Sequence, residues 1–308
     1  LATLLVSDPI FLEHQVPQGH PERPDRLRAI ATALAVAQFD GLVRMAAPGA
    51  DDATLATAHE ESYVALIRDN VPDEGFTRLD ADTTLSPRSF VAASHAAGAA
   101  CLAVDEVFSG RAANAFCALR PPGHHAEADH AMGFCLFGNA VIAARHAQRM
   151  HGAERVAIVD WDVHHGNGTQ AIVWSDPSIL YASTHQMPLY PGTGAVEETG
   201  VGNIFNAPLS PGAGGAEFFD AFTARILPAV TAFRPDLIVI SAGFDAHWRD
   251  PLAAINLKEE DFAWATTALL EIADRHAGGK VVSLLEGGYD LTGLSDSVAA
   301  HVATLMTA

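Results

Sequence analysis

Asp160, Asp162 and His164 are spaced by two within the run Asp160-Trp161-Asp162-Val163-His164-His165-Gly166-Asn167-Gly168. Side chains of an extended chain alternate between faces, so a strand continuing through this run projects all three on one side. A carboxylate and an imidazole on one face, joined by another carboxylate from a neighbouring loop, make a three-ligand metal site. With its fourth position left to water or substrate, this is the open arrangement of catalytic zinc. We assign Asp162, His164 and Asp245 as the ligands. Any one of them alone reads more simply as a helix cap or turn residue. It is the set that points to a metal. The adjacent pair His124-His125 offers candidates for proton transfer, although such a pair alone reads as a turn with one satisfied histidine. Tyr289 offers a hydroxyl to an oxygen that becomes negatively charged, and its plainer reading is a core tyrosine near a turn. The preceding Gly287 and Gly288 weigh against that reading, since they free the loop to swing the ring inward.

These residues need a scaffold that brings them to one place. Short apolar runs read as strands at Thr3–Val6, Ala115–Leu119, Val156–Val159, Ile179–Ala182, Leu237–Ser241 and Val281–Leu285. Helical patterns fall around Arg26–Ala37, Arg88–Phe108, Gly138–His151, Ala216–Phe233 and Glu259–His276. Several strands are solidly apolar and β-branched, which suits a parallel sheet buried on both faces. Strand-then-helix repetition predicts an α/β fold with right-handed crossovers. Ligands in such sheets bind beyond the carboxyl ends of the strands. The polar runs follow that rule: Arg120–His125, Asp160–Gly168, Ser183–His185, Ala242–Asp245 and Glu286–Tyr289 each come directly after a strand. Five loops should therefore converge on one rim.

The chain has 308 residues, 49% hydrophobic and 18% charged, with no repeat, low-complexity tract or linker, and reads as one domain over residues 1–308. Eighteen basic against thirty-seven acidic residues leave a net charge of −19, which argues against nucleic acid as a partner. The acidity suits a cationic substrate and equally a surface tuned for solubility. Cys101, Cys117 and Cys135 lack CxxC spacing and read as reduced core residues of a cytoplasmic protein. Leu1–Val6 is too short and uncharged for a signal peptide, and no apolar run is expected to span a membrane.

The segments Arg120–His125, Asp160–Gly168, Ala242–Asp245 with Asp250-Pro251, and Glu286–Tyr289 resemble the zinc-dependent histone deacetylases, class II more than class I. The resemblance begins at Gly19-His20-Pro21-Glu22-Arg23-Pro24-Asp25-Arg26 and runs nearly to the C-terminus. It implies the three-layer αβα arginase–deacetylase fold, with a mostly parallel eight-stranded sheet. The superfamily also holds dinuclear manganese ureohydrolases, whose second metal needs Asp residues where this chain has Gly166 and Gly243. Glycine has no ligating side chain, so a mononuclear Zn2+ site is favoured.

Two carboxylate ligands neutralise much of the zinc charge, so a protein base is needed to deprotonate the water. By resemblance His125 is that base and His124 assists it, with Asp160 partnering His124 and Asn167 partnering His125. Class II members carry Asn at the latter position, a neutral amide that orients the ring without raising its pKa as a carboxylate would. Tyr289 stands where some class II members have His and are poor deacetylases, which implies a competent enzyme. The family also binds K+ behind the zinc, at positions matching Asp160, Asp162, His164, Ser183 and Thr184. Gly133-Phe134 and Tyr190-Pro191 match tunnel walls that sandwich a lysine chain, Asp82 a rim carboxylate, and Arg26 an inner-cavity arginine on the acetate exit. Polyamine deacetylases place Glu after the Asp-Pro pair, where this chain has Leu252, which favours an acetyl-lysine substrate over an acetylpolyamine. His247, Trp248 and Arg249 are expected at the mouth, without an assigned role. Two rival readings remain, a deacetylase of small N-acetyl amines and a weakly catalytic acyl-binding module. A homo-oligomer is compatible with the sequence.

Overall fold

The computed structural model describes all 308 residues. Ten strands form: β1 (Leu4–Val6), β2 (Val43–Met45), β3 (Thr77–Arg78), β4 (Thr84–Leu85), β5 (Ala115–Cys117), β6 (Val156–Asp160), β7 (Ile179–Gln186), β8 (Ile204–Leu209), β9 (Leu237–Ala242) and β10 (Val281–Leu285). Eight of them make one sheet in the order β2-β1-β5-β10-β9-β6-β7-β8, and β3 and β4 form a separate hairpin. Every pairing in the large sheet is parallel, so the expected mostly parallel sheet is wholly so. The solid apolar runs explain this: β1, β5, β6, β7, β9 and β10 are buried at every residue, as strands covered on both faces must be.

The helices are α1 (Asp25–Ala33), α2 (Asp52–Leu55), α3 (Glu61–Asp69), α4 (Ser89–Phe108), α5 (Asn139–His151), α6 (Asn167–Val173), α7 (Gly215–Ala221), α8 (Leu227–Phe233), α9 (Glu259–His276) and α10 (Leu291–Leu305). In one layer α4 packs on β1, β5 and β10, and α5 on β6 and β9. In the other, α9 packs on β9, α8 on β7, and α10 between α9 and α1. One cluster of 87 buried hydrophobic residues runs from Leu4 to Leu305.

Several expectations need correction. The expected strand does not continue through Asp162 and His164: β6 ends at Asp160, and the ligand run is a loop. Conversely, β7 extends to Gln186, so Ser183, Thr184 and His185 lie within it instead of after it. The helix expected over Ala216–Phe233 is interrupted by a π-helical turn at Phe222–Ile226, just before Pro228, which has no N–H to continue a regular ladder. The helix expected over Arg26–Ala37 stops at Ala33, where Leu34 turns into the core. Against the sequence expectation, α4 has the length and apolarity to cross a membrane, but two-thirds (67%) of that window is buried inside the protein. Edge strand β8 escaped notice because Asn206 and Pro208 break its apolar run, and an edge is where proline is tolerated.

The four central strands β5, β10, β9 and β6 are adjacent, and each delivers one of the polar loops at its carboxyl end. A charged cluster braces them from beneath. Fully buried Glu22 accepts from Arg26 at 3.0 Å and from both Arg120 Nε and Nη2, at 2.5 and 2.8 Å. Burial alone would raise the Glu22 pKa, but Arg120 and Arg26 together hold it far below the ordinary carboxylate range.

His301 of α10 illustrates a second buried polar device. It is held by the hydroxyls of Thr266 and Ser283 at 2.7 and 2.8 Å, and burial lowers its pKa from 6.5 to about 3. The unfolded chain therefore takes up a proton that the folded chain refuses. The resulting stability is complete above pH 6.5 and lost as pH falls towards 3, at about 1.4 kcal/mol per pH unit. Urea unfolding of His301→Asn should show a lower stability at neutral pH. Its slope between pH 6 and 4 should be shallower than wild type by about that amount; an equal slope refutes the assignment.

Candidate metal centre and catalytic cavity

The loop after β6 folds back so that Asp162 and His164 meet Asp245 from the loop after β9. His164 Nδ1 lies 3.1 Å from Asp162 Oδ1 and 3.1 Å from Asp245 Oδ2. The three ligand atoms fall within 4.8 Å of one another, and all three residues are buried. Backbone donors aim the carboxylates: His164 N–H and Gly287 N–H donate to Asp162, and Val163 N–H donates to Asp245. Burial and the neighbouring Asp162 charge push Asp245 up to about 7. Burial opposes a charged His164, yet its bonds to Asp162 and Asp245 raise it to about 10. Two buried carboxylates thus share one imidazole proton at the point where a divalent cation would relieve both. The donor set fits such an ion, with one imidazole and two carboxylates leaving a coordination position free.

Glycines make this closeness possible. A Cβ at Gly243 would lie 2.1 Å from Asp162 Oδ2, and one at Gly287 would lie 2.2 Å from Asp245 Oδ2. One at Gly166 would lie 2.4 Å from Asp160 Oδ2. Gly166, Gly243 and Gly287 thus serve close approach, so of the pair expected to free the Tyr289 loop only Gly288, at φ 120°, needs glycine for its conformation. No side chain at 166 or 243 is available to hold a second ion.

His124 and His125 lie with ring centroids 4.0 Å apart, and their environments diverge. His124 Nδ1 meets Asp160 Oδ2 at 3.0 Å, and its Nε2 faces Asp162 Oδ1 at 3.8 Å. Burial works against its charge, but Asp162 and Asp160 outweigh burial and raise its pKa well above 6.5. His125 goes the other way: burial first, then the neighbouring His124 and His164, hold it well below 6.5. Its Nδ1 donates to Asn167 Oδ1 at 2.8 Å, which leaves Nε2 as the free nitrogen. The Asn167 amide is itself oriented, because Nδ2 donates to Glu127 Oε1 at 2.7 Å, and a carboxylate can only accept. Glu127 was not anticipated. Its position two residues after the histidine pair is the only sequence trace it leaves.

Asp82, His125, Gly133, Phe134, His164, Leu189, Tyr190, Leu252 and Tyr289 line a cavity of about 240 Å³ above the centre. The rings of Tyr190 and His125 meet edge to face at 5.2 Å, as do those of Phe134 and Tyr289 at 5.9 Å. Phe134 adopts a left-handed φ of 69°, costly for a residue with a Cβ. The turn is held by Thr83 Oγ1, which accepts from Phe134 N–H, and by Asp82 Oδ1, which accepts from Gly133 N–H. Tyr289 makes no protein hydrogen bond through its hydroxyl, while its backbone N–H donates to Asp250 Oδ2 at 2.7 Å. Leu252 follows on the same loop, its N–H donating to Asp250 Oδ1.

Other assigned residues fall elsewhere. Arg26 lies behind the tunnel, fully buried against Tyr289 at 5.1 Å from the ring and donating to the Gly288 and Glu286 carbonyls. His247 is also away from the mouth, buried and paired with Glu259 at 3.2 Å, while Trp248 is exposed beneath the Arg249 guanidinium. Asp160 and Ser183 are register partners across β6 and β7. The hydroxyl of the next residue, Thr184, is buried without a partner, and Ser183 Oγ bonds His185 Nδ1 at 2.9 Å.

Comparison with known proteins places this geometry in a family. Residues 20–305 match the profile of the histone deacetylase domain. The chain is 42% identical to an uncharacterised protein of Synechocystis, slr0245, over 96% of this chain and 97% of that one. It is 41% identical to a histone deacetylase-like amidohydrolase of Pseudomonas aeruginosa, over 88% of this chain and 73% of that one. The crystal structure of the HDA15 HD domain superposes with a TM-score of 0.95 at 39% identity, covering 99% of this chain and 88% of that one. The chain is therefore a member of the histone deacetylase family of deacetylases and amidohydrolases.

Proposed function

We propose that this protein is a zinc-dependent amidohydrolase that removes acetyl or other short acyl groups from lysine-like amines. The observation that carries the reading is the convergence of Asp162, His164 and Asp245 at the floor of a cavity whose wall includes both His125 and Tyr289. Bound there, zinc would supply a Lewis acid that acidifies water and polarises the amide carbonyl. His125, its Nδ1 committed to Asn167, receives the water proton at Nε2 and returns it to the leaving amine. His124 holds positive charge beside the reacting carbon, secured by Asp160. The Tyr289 hydroxyl, which has no competing protein partner, donates to the amide oxygen as its negative charge grows. Phe134 and Tyr190 flank the methylene chain and exclude water, with Asp82 at the rim. A potassium ion on Asp160, Asp162, His164, Ser183 and Thr184 would stiffen the ligand loop from behind.

Turnover of an acetyl-lysine peptide and of an acetylated polyamine by zinc-loaded protein tests the reading and selects the amine. Neutral Leu252 in the cavity wall supports the peptide, and turnover of neither compound rejects both amines and turns the reading to another amide or a binding role. Tyr289→Phe should lower kcat by about 10²- to 10³-fold with KM little changed. A strong chelator should abolish turnover and stoichiometric zinc should restore it; activity that survives complete metal removal excludes a metal-assisted reaction. Glu127 provides a subtler check on the orientation of Asn167. Glu127→Leu should reduce kcat by roughly 10- to 100-fold, whereas Glu127→Gln, which still offers an acceptor oxygen, should keep most of it. Equal rates for the two variants exclude the role.

A further inference from the structure

Outside the catalytic cavity, the C-terminal ends of α4 and α5 meet around one carboxylate. Asp105 Oδ1 lies 2.8 Å from His146 Nε2 and 2.7 Å from His151 Nε2. All three atoms fall within 4.8 Å of one another. We propose that Asp105, His146 and His151 form a second divalent transition-metal site, one that clamps the ends of α4 and α5.

Three features support a metal over a simple pair of hydrogen bonds. Both imidazoles aim the same nitrogen at the same oxygen, the facial arrangement of two histidines and one carboxylate that leaves further coordination positions open. His151 is pre-oriented: its ring stacks on Phe108 with centroids 4.8 Å apart and planes 15° from parallel. The site also lies where two helices end, and the carbonyl end of a helix favours a cation. The last turn of α4 carries Asp105 and Glu106 and no basic residue; Glu106 is paired with Arg111, whereas Asp105 has only the two imidazoles. Ligation requires only that each neutral ring carry its proton on Nδ1, freeing the Nε2 lone pair. Two nitrogen donors favour zinc, cobalt, nickel or copper over magnesium and calcium. Side-chain exposures of 41% for Asp105, 18% for His146 and 23% for His151 leave the ion free to exchange with solvent.

The test compares metal-stripped wild type with His146→Gln/His151→Gln and with Asp105→Asn, titrated with zinc and assayed by bound metal per chain. Wild type should take up one zinc more than either variant, with a dissociation constant of about 10 μM or tighter. Excess zinc should raise its Tm by several degrees beyond the rise seen in the variants, and cobalt titration should build visible absorption for one more equivalent in wild type than in the variants. Deacylation rates of zinc-replete wild type and variants should agree, which establishes that the variants are folded. Because the readout is a difference between proteins, it stands whether or not the Asp162–His164–Asp245 centre takes zinc. Equal stoichiometry in wild type and variants overturns the proposal, as does extra binding to wild type weaker than about 100 μM.

Discussion

The structure is organised around the repulsion between two buried carboxylates. Asp162 and Asp245 come from different loops, are fully sealed from solvent, and point at the same imidazole. No lysine or arginine forms an ion pair with either of them; Arg26, buried behind Tyr289, is spent on Glu22 and two carbonyls. Buried charges of one sign are costly unless something positive joins them. Backbone N–H groups of Val163, His164 and Gly287 hold the carboxylates in place, so the arrangement is shaped for a cation.

Around that centre the protein separates the two histidines by their surroundings. His124 is set between Asp160 and Asp162, and His125 is given only a neutral amide, so adjacent residues of one type become one charged and one neutral group. The Glu22–Arg26–Arg120 cluster does comparable work at longer range. It ties the segment before α1 to the loop after β5 and, through Arg26, to the carbonyls that carry Tyr289. The loop that carries Tyr289 thus rests on an ion pair outside the cavity lining.

Much of this was legible in the sequence because it is written in local patterns. The strand-then-polar-loop rule located four loops of the site, since the strands bearing them are solid apolar runs. The candidate ligands Asp162 and His164 were named from residue type and spacing and Asp245 as a carboxylate from a neighbouring loop, and the structure gathers all three, although by a bend after Asp160 and not by a continuing strand. What stayed hidden depends on contacts between distant segments. Glu127 acts by an amide it fixes forty residues away in Asn167, Glu22 by arginines at 26 and 120, and Asp250 by a backbone N–H at 289. His247 was misplaced because its partner, Glu259, lies twelve residues on, at the start of α9.

The glycine at 243 bears on how such a fold changes over evolutionary time. The space its missing Cβ would occupy is already filled by Asp162. A single replacement by aspartate therefore cannot add a ligand for another ion; it would first displace one that is needed. A side chain at 243 is compatible with this site only if the Asp162 loop takes another path. Changes at 243 and in the Asp162 loop should therefore arise together.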